Sequence, residues 1–391
     1  MSNIYRKHLP CCANILEPLI PVNFYLLCLS NILNMFPRGD MFCLYYDNKT
    51  KSVSAINGSG KSPKHLNLDL VKKDCGDGNG GVNLGKFQAS PHAVTVPGAA
   101  QGYEDVLKKY GSGKFTLANL LEPAAVIAEE GFPVAPITSH HWQSGMHLIK
   151  RWLPEGAIAP LTTDGKNGPR PGEIIKNSDY AKVLRDLGSK GAKEGFYAGD
   201  TGKAIVAVVQ KHGGVMTEED LRSHKSFFPD PIAAEFRGVK LYEIPPNGQG
   251  PAACVALTGL QHLEEKSLCP KLGPGMIGTA DSYHVMIEMM RLGFEDARTQ
   301  IADPEYIKVD NSWFVDKDRI GKRAADLFDP KKAMAKGEPT PSSCTVSFQV
   351  ADKEGNAISF VNSNFMGFGS GIVPDGCGFS LQNRGFGFTG Q

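Results

Sequence analysis

The sequence predicts an α+β fold, with helices packed on antiparallel sheets. Three observations predict it. Amphipathic helical stretches fill the middle of the chain, strongest in "ADSYHVMIEMMRLGFEDARTQI". Alternating, turn-bounded hairpins stand near both ends and at 231–245. No internal repeat or strand–helix alternation of the parallel α/β type interrupts this pattern.

Taken in order, residues 15–36, "ILEPLIPVNFYLLCLSNILNMF", are greasy but broken by Glu17, two prolines and three asparagines. They fit neither a spanning helix, which needs ~20 mostly apolar residues, nor a signal peptide, and read as an ordinary core segment or a badly joined start of the chain. Met41–Tyr46 and Ser52–Ile56 form a hairpin across the polar turn Asp47–Lys51. Residues 73–86, "KDCGDGNGGVNLGK", read as a loop. A helix follows Gly98 and stops at Gly111. A second begins on a Thr116 cap and stops at Gly131, with Pro123 expected to start a new turn or kink the run. Residues 154–177 are a Pro/Gly-rich loop, 178–214 a helix, loop and helix, and Thr217 caps a short acidic helix start. "PIAAEFRGVKLYEIP" turns at Arg237-Gly238, "GPAACVALTGLQHL" is helical, residues 329–344 read as a linker, and "TVSFQVAD", "KEGN", "AISFVNSN" spell a last hairpin.

Composition narrows the function. With 41% apolar and 21% charged residues over 391 positions the chain is an ordinary globular protein. A net charge of +1 lacks the basic excess that a nucleic-acid surface needs, so no nucleic-acid partner is expected. Nine scattered cysteines without a CxxC pair form neither a zinc pattern nor a small disulfide scaffold. The sequons Asn48-Lys49-Thr50 and Asn57-Gly58-Ser59 count only if the chain enters a secretory pathway.

Several motifs fail on their own chemistry. "AINGSGKS" lacks the first glycine of a phosphate loop, having Ala55 there, and Pro63 follows directly. Arg38-Gly39-Asp40 spells an adhesion-type tripeptide, but it abuts a buried strand and reads as chance. His140, His141 and His147 lack acids or thiols at ligand spacing, so no metal is expected. No G-x-S-x-G elbow occurs, and "GDGNGGVNLG" has no strand-to-helix frame for a dinucleotide.

One constellation carries chemistry. Thr345 stands at the first residue of a strand, directly after the mobile-looking leader "EPTPSSC". A threonine hydroxyl is a nucleophile only if something takes its proton. Cutting the peptide bond between Cys344 and Thr345 frees an α-amine, of pKa near 8, beside that hydroxyl to act as its base. Ser363, on the paired strand, comes within reach of Thr345 if the hairpin closes at Gly355-Asn356, and "MGFGSG" offers a Gly-rich loop whose amides could face a substrate carboxylate. The competing reading is that Thr345 simply starts a strand, which threonine does well.

From about Asp40 to Gln391 the chain resembles the γ-glutamyltransferase (glutathione hydrolase) family. The resemblance is carried by "CLYYDNKTKSVSAINGSGKSP", "TVPGAAQGYEDVLKKYGSGKFTLANLLEPAAVIAEEGFPV", "GFYAGDTGKAIVAVVQKHGGVMTEEDL", "YEIPPNGQGPAACVALTGL" and "TVSFQVADKEGNAISFVNSN", in that order. It implies a four-layer αββα N-terminal-nucleophile hydrolase fold, here incomplete, and self-cleavage at Cys344-Thr345. Residues 1–38 stay unassigned, 39–344 form a large-subunit-like region, and 345–391 begin a small subunit that pairs with it. Thr345 becomes the nucleophile toward a γ-glutamyl amide such as glutathione, with Ser363 its hydroxyl partner and water or an amino acid the acceptor. No metal or organic cofactor is implied. An extracytoplasmic or membrane-associated place is compatible with the family.

The departures from the pattern are specific. The family's arginine clamp for the α-carboxylate belongs where Asn57–Ser62 has none, leaving Lys61 to substitute. Phe365 and Gly387 stand where an asparagine and an acid belong, with Arg384 nearby; Asn364, Asn383 and Arg384 become the candidate substrate contacts. This pattern resembles the acylase-like branch. The glycines whose amides form the oxyanion hole are expected beyond Gln391. An acylase or amidase of other acyl specificity therefore stands as one alternative, and a non-catalytic relative serving as a folding or binding partner as another.

Overall fold

The computed structural model describes residues 39–334 and 345–388. In chain order they form β1 (Asp40–Asp47), β2 (Ser52–Gly58), α1 (Leu68–Cys75), α2 (Leu84–Gln88), α3 (Ala99–Tyr110), α4 (Leu117–Glu130), β3 (Phe132–Pro133), α5 (Pro136–Lys150), β4 (Ile174–Ile175), α6 (Ser178–Ala192), α7 (Asp200–Lys211), α8 (Glu218–Arg222), β5 (Ile232–Phe236), β6 (Val239–Glu243), α9 (Pro251–Glu265), α10 (Ala280–Gln300), α11 (Lys317–Leu327), β7 (Thr345–Ala351) and β8 (Ala357–Ser363). Two compact units emerge: residues 56–227 with both hairpin ends of the chain, and residues 228–334 with the short run 51–55. The 344/345 junction is not a boundary between them, because the first unit holds residues on both sides of it.

Strands β1, β8 and β7 of the first unit lie in a four-stranded antiparallel sheet of order β2-β1-β8-β7. Its register follows from side-chain parity, because successive residues of a strand point to opposite faces. Phe348 and Val350 of β7 pair with Phe360 and Ile358 of β8. These four side chains join Met41 and Cys43 of β1 in one buried face, under Tyr103 and Val106 of α3, Leu121 of α4 and Leu184 of α6. Burying each such side chain contributes roughly 1.5–3 kcal/mol. Thr345, Ser363 and Asp40 have the opposite parity and line up in one row across β7, β8 and β1. The helical layer thus fixes the sheet from behind and leaves this row on the other face. Of the four layers expected, the described residues supply one larger sheet and the helices on its far side.

The second unit pairs β5 with β6 through a two-residue turn. Arg237 and Gly238 both take positive φ, 53° and 80°, as such a tight hairpin requires. Its core lies between that hairpin and α9, α10 and α11, around Cys254, Leu260, Met289, Leu292 and Phe314.

One local expectation changes. Residues 68–75 are helical, started by Asn67, whose side chain accepts from the Leu70 N–H at 2.9 Å. The expected loop at 73–86 shrinks to the turn between α1 and α2, where the Asp77 carboxylate takes the N–H groups of Asn79 and Gly81. Helix α4 runs through Pro123 without a break. A Thr116/Asn119 capping box secures its start, and Leu120, Leu121, Ala124 and Ala125 are buried on both sides of the proline. Of the expected linker, Asp329 and Lys332 form a bridge, and residues 335–344 lie outside the described residues.

Candidate active site

The row of opposed residues becomes a hydrogen-bonded chain. Thr345 is exposed at the start of β7, and its Oγ1 lies 3.0 Å from Ser363 Oγ on β8. Ser363 is buried, and its Oγ accepts from Arg384 Nη2 at 2.6 Å and from the Phe365 N–H at 3.1 Å. Arg384 Nε in turn donates to the Asp40 carboxylate at 3.2 Å.

Asp40 is fully buried, which an acid tolerates only when paired and hydrogen-bonded. Its two oxygens also accept from Ser59 Oγ at 3.1 Å, the Gly60 N–H at 2.9 Å and Gln382 Nε2 at 3.0 Å. Burial pushes its carboxyl above the usual range, and the Arg384 charge and these donors pull the other way. Burial likewise pushes the Arg384 guanidinium down, against the opposing pull of Asp40. Two glycines let the backbones close around the acid. A Cβ at Gly39 would sit 2.2 Å from the Ser363 carbonyl oxygen, and one at Gly60 would sit 1.6 Å from that of Val96.

Phe365 holds the other side. Its φ is 68°, a conformation that costs a bulky residue on the order of 1–3 kcal/mol. The turn it makes aims its N–H back at Ser363. Its ring lies under the Arg384 guanidinium at 4.8 Å and meets Phe386 edge-on at 6.0 Å.

The residues expected from the sequence divide by place. Thr345, Ser363 and Arg384 come together in this chain of contacts. Asn364 and Asn383 are also present near the end of β8 and beside Arg384, but both are fully buried. Each gives its amide N–H to a backbone carbonyl, of Gly367 and Gln88, and each leaves a buried amide oxygen without a protein partner. Lys61 sits elsewhere, over the Phe227 ring at 5.5 Å. Cys344 lies outside the described residues. In "MGFGSG" the amides of Gly369, Ser370 and Gly371 bond to the carbonyls of Met366, Leu381 and Phe368. His140, His141 and His147 are exposed on α5, and no three His, Cys, Asp or Glu side chains among the described residues could hold a metal ion.

Sequence reasoning missed Asp40 and its donors Ser59 and Gln382. The available signal was Asp40 itself, a carboxylate leading directly into the apolar run Met41–Leu44, which demands a partner.

Chemically, the arrangement can activate a hydroxyl. Ser363 Oγ accepts from two N–H donors, of Arg384 and Phe365, and shares a hydrogen bond with Thr345 Oγ1 in which either hydroxyl can donate.

The family model described as gamma-glutamyltranspeptidase matches residues 26–391. The chain is 32% identical over 356 residues to the glutathione hydrolase-like YwrD proenzyme of Bacillus subtilis (strain 168), covering 90% of this chain and 62% of that protein. It is 29% identical over 323 residues to the glutathione hydrolase proenzyme of Pseudomonas sp. (strain A14), covering 81% of this chain and 54% of that protein. The crystal structure of cephalosporin acylase from Bacillus halodurans superposes with a TM-score of 0.79 at 30% identity, over 95% of this chain and 65% of that one. The chain thus spans less than two thirds of the length of these relatives.

Proposed function

Because this chain belongs to the gamma-glutamyltranspeptidase family of enzymes and has its N-terminal-nucleophile hydrolase fold, we propose that it cleaves a γ-glutamyl amide through a threonine acyl-enzyme. The observation that carries this reading is the 3.0 Å contact between Thr345 and Ser363 at the first residue of β7. In this mechanism the Cys344–Thr345 bond is first cut by the chain itself, which frees the α-amine of Thr345. That amine takes the Thr345 hydroxyl proton as Oγ1 bonds to the γ-carbonyl carbon. The C–N bond then breaks, and the proton passes from the α-amine to the leaving nitrogen. Water or an amino acid then attacks the ester, its proton passes to the amine, and Thr345 is restored. The donor is a small molecule such as glutathione, and the two fragments stay paired as large and small subunits.

A second reading, an acylase or amidase of other acyl specificity, is favoured by Arg384. Its guanidinium touches the serine that touches Thr345, and Asp40, the acid beside it, is already committed to four donors. A cation in this position is a poor neighbour for the free α-ammonium of a γ-glutamyl group and a better one for a neutral or anionic acyl chain.

Intact-mass analysis with N-terminal sequencing tests the shared chemistry. The expected result is a fragment beginning at Thr345 in the wild type and none in Thr345→Ala, with release from a γ-glutamyl anilide falling on the order of 10⁴–10⁶-fold. Persistent uncut protein without amide cleavage overturns it. Cut protein that ignores γ-glutamyl amides but hydrolyses other acyl amides selects the acylase.

A further inference from the structure

We infer that the first unit carries a further small-molecule site, a cavity walled by Trp142 and Trp152 that takes a zwitterion with a large apolar body, the class of leucine and other apolar α-amino acids. All its lining residues belong to the first unit, and none of Thr345, Ser363, Asp40 and Arg384 is among them. The inference therefore stands apart from the reading of Thr345 as the nucleophile.

The cavity holds about 450 Å³, within the ~300–1,000 Å³ of small-molecule pockets. Its floor is apolar: Phe132, Trp142, Ile149 and Ile175 line it and are buried. Trp152 lies against the His212 ring with centroids 4.5 Å apart. Burial, and then the Lys211 charge, hold that imidazole below its ordinary 6.5, so it is neutral near pH 7 and adds an aromatic face. Neutral polar groups of the wall are already committed. Trp142 Nε1 donates to the Leu161 carbonyl at 2.8 Å, and Trp152 Nε1 to that of Ser370 at 2.9 Å. Asn177 gives its amide N–H to the Gly378 carbonyl at 2.7 Å and takes the Tyr180 N–H at 3.0 Å, and Thr162 gives its hydroxyl to the Ala159 carbonyl at 2.6 Å. A guest body that needs hydrogen bonds, such as a sugar, would give up water there without replacement. An apolar body gains by leaving water.

The charged groups are in the opposite condition. Lys176, Lys211, Asp179 and Asp375 line the same cavity and are exposed, and none of them forms an ion pair among the described residues. The two acids act on one neighbour: burial pushes the Cys377 thiol up, and the charges of Asp179 and Asp375 add to it against that of Lys182. Two cations and two anions around one apolar cavity suit a head that carries one charge of each sign. The α-ammonium and α-carboxylate of a free amino acid are both ionised near neutral pH, and each finds its complement here. A fatty acid or an alkyl amine would meet an uncompensated pair of like charges.

Two of the chain's three tryptophans line the cavity, so intrinsic fluorescence reads its occupancy. The test titrates the full chain with L-leucine and with three molecules that each lack one part of it: 4-methylpentanoate without the amine, 3-methylbutylamine without the carboxylate, and glycine without the apolar body. Calorimetry repeats each titration. The expected result is saturable binding of leucine below ~10 mM, with each of the other three on the order of fivefold weaker or more. Lys176→Gln/Lys211→Gln and Asp179→Asn/Asp375→Asn change only exposed side chains, and each pair should weaken leucine on the order of fivefold. The first pair should leave 3-methylbutylamine no weaker, and the second should leave 4-methylpentanoate no weaker. No saturable signal with leucine, equal binding of glycine or of either single-charge molecule, or leucine affinity unchanged in both double variants each overturn the inference. The last outcome would place leucine elsewhere on the protein. None of these readouts needs activity, so failure of leucine to bind leaves the hydrolase reading standing, and absence of a cut at residue 345 leaves the cavity's occupant to be read as before.

Discussion

Asp40 and Arg384, 344 positions apart in the sequence, meet at 3.2 Å in the interior of the first unit and tie the beginning of β1 to the segment after β8. The pair matters twice over. It closes the sheet region around a charge that water cannot reach, and it sets the guanidinium on Ser363.

Breaking this pair from the acid side should be costly. Asp40→Asn leaves Arg384 without its counter-charge, and losing one partner of a buried pair costs roughly 3–5 kcal/mol. The arginine side chain keeps 27% exposure, so we expect about 3 kcal/mol, the low end. Urea unfolding monitored by circular dichroism should show it as a lower midpoint at unchanged slope. Asp40→Asn/Arg384→Gln should recover part of the loss, and a double variant less stable than Asp40→Asn would contradict the pairing.

Gly39 is required by closeness rather than by flexibility. In Gly39→Ala the new methyl would stand 2.2 Å from the Ser363 carbonyl oxygen, so β1 or β8 must shift. Overpacking of this kind costs about 1–3 kcal/mol. Because the displaced strand carries Ser363, cleavage at 345 should slow by more than the stability loss explains. A variant with normal cleavage kinetics would show that the end of β8 tolerates displacement.

The helical layer should be felt most strongly at Phe360. It is 3% exposed and stacks on Phe348 with centroids 4.9 Å apart and on Tyr103 at 5.7 Å. Truncation to alanine should cost ~3–5 kcal/mol, read as a lower melting temperature. Phe360→Leu should cost less than half as much, since it refills most of the space.

Acid should weaken the fold through His224. Burial holds this imidazole down to about 4 from an ordinary 6.5, against the opposing hydrogen bond that its ring makes to the Gly98 backbone and with a lesser push from the charge of Lys61. Below 6.5 the unfolded chain therefore binds a proton that the native state refuses until about 4. Stability is lost as pH falls through that window. Melting temperatures taken from about pH 7 to about pH 4.5 should decline, and His224→Gln should flatten the decline. A parallel decline in both proteins would exclude the histidine as its source.

How much of this was legible depends on how far apart the partners lie. The hairpin of β7 and β8 is local: alternation set its faces, and Gly355-Asn356 marked its turn, so the approach of Ser363 to Thr345 followed from counting. The same is true of the Thr116 and Thr217 caps. Helix α1 escaped because its lysines and aspartates hide a stripe that buries only Val71 and Cys75. Arg384 was picked out as a substrate contact, but its attachment to Asp40 spans nearly the whole chain and has no local signature. Asp40 itself was masked by an accidental tripeptide spelling, although a lone acid leading an apolar strand already implied an unseen cation.

Strand β8 lies between β1 and β7, bonded along its length to both. If the backbone is severed ahead of Thr345, β1 belongs to one polypeptide and the β7–β8 hairpin to another, and the interior of a single sheet becomes the seam of a heterodimer. Folding before the cut is then a unimolecular search, whereas reassembly after it is a bimolecular encounter between two partners. A nicked sample unfolded and returned to native conditions should recover more slowly, and less completely, the more it is diluted, while Thr345→Ala should recover at a rate independent of concentration.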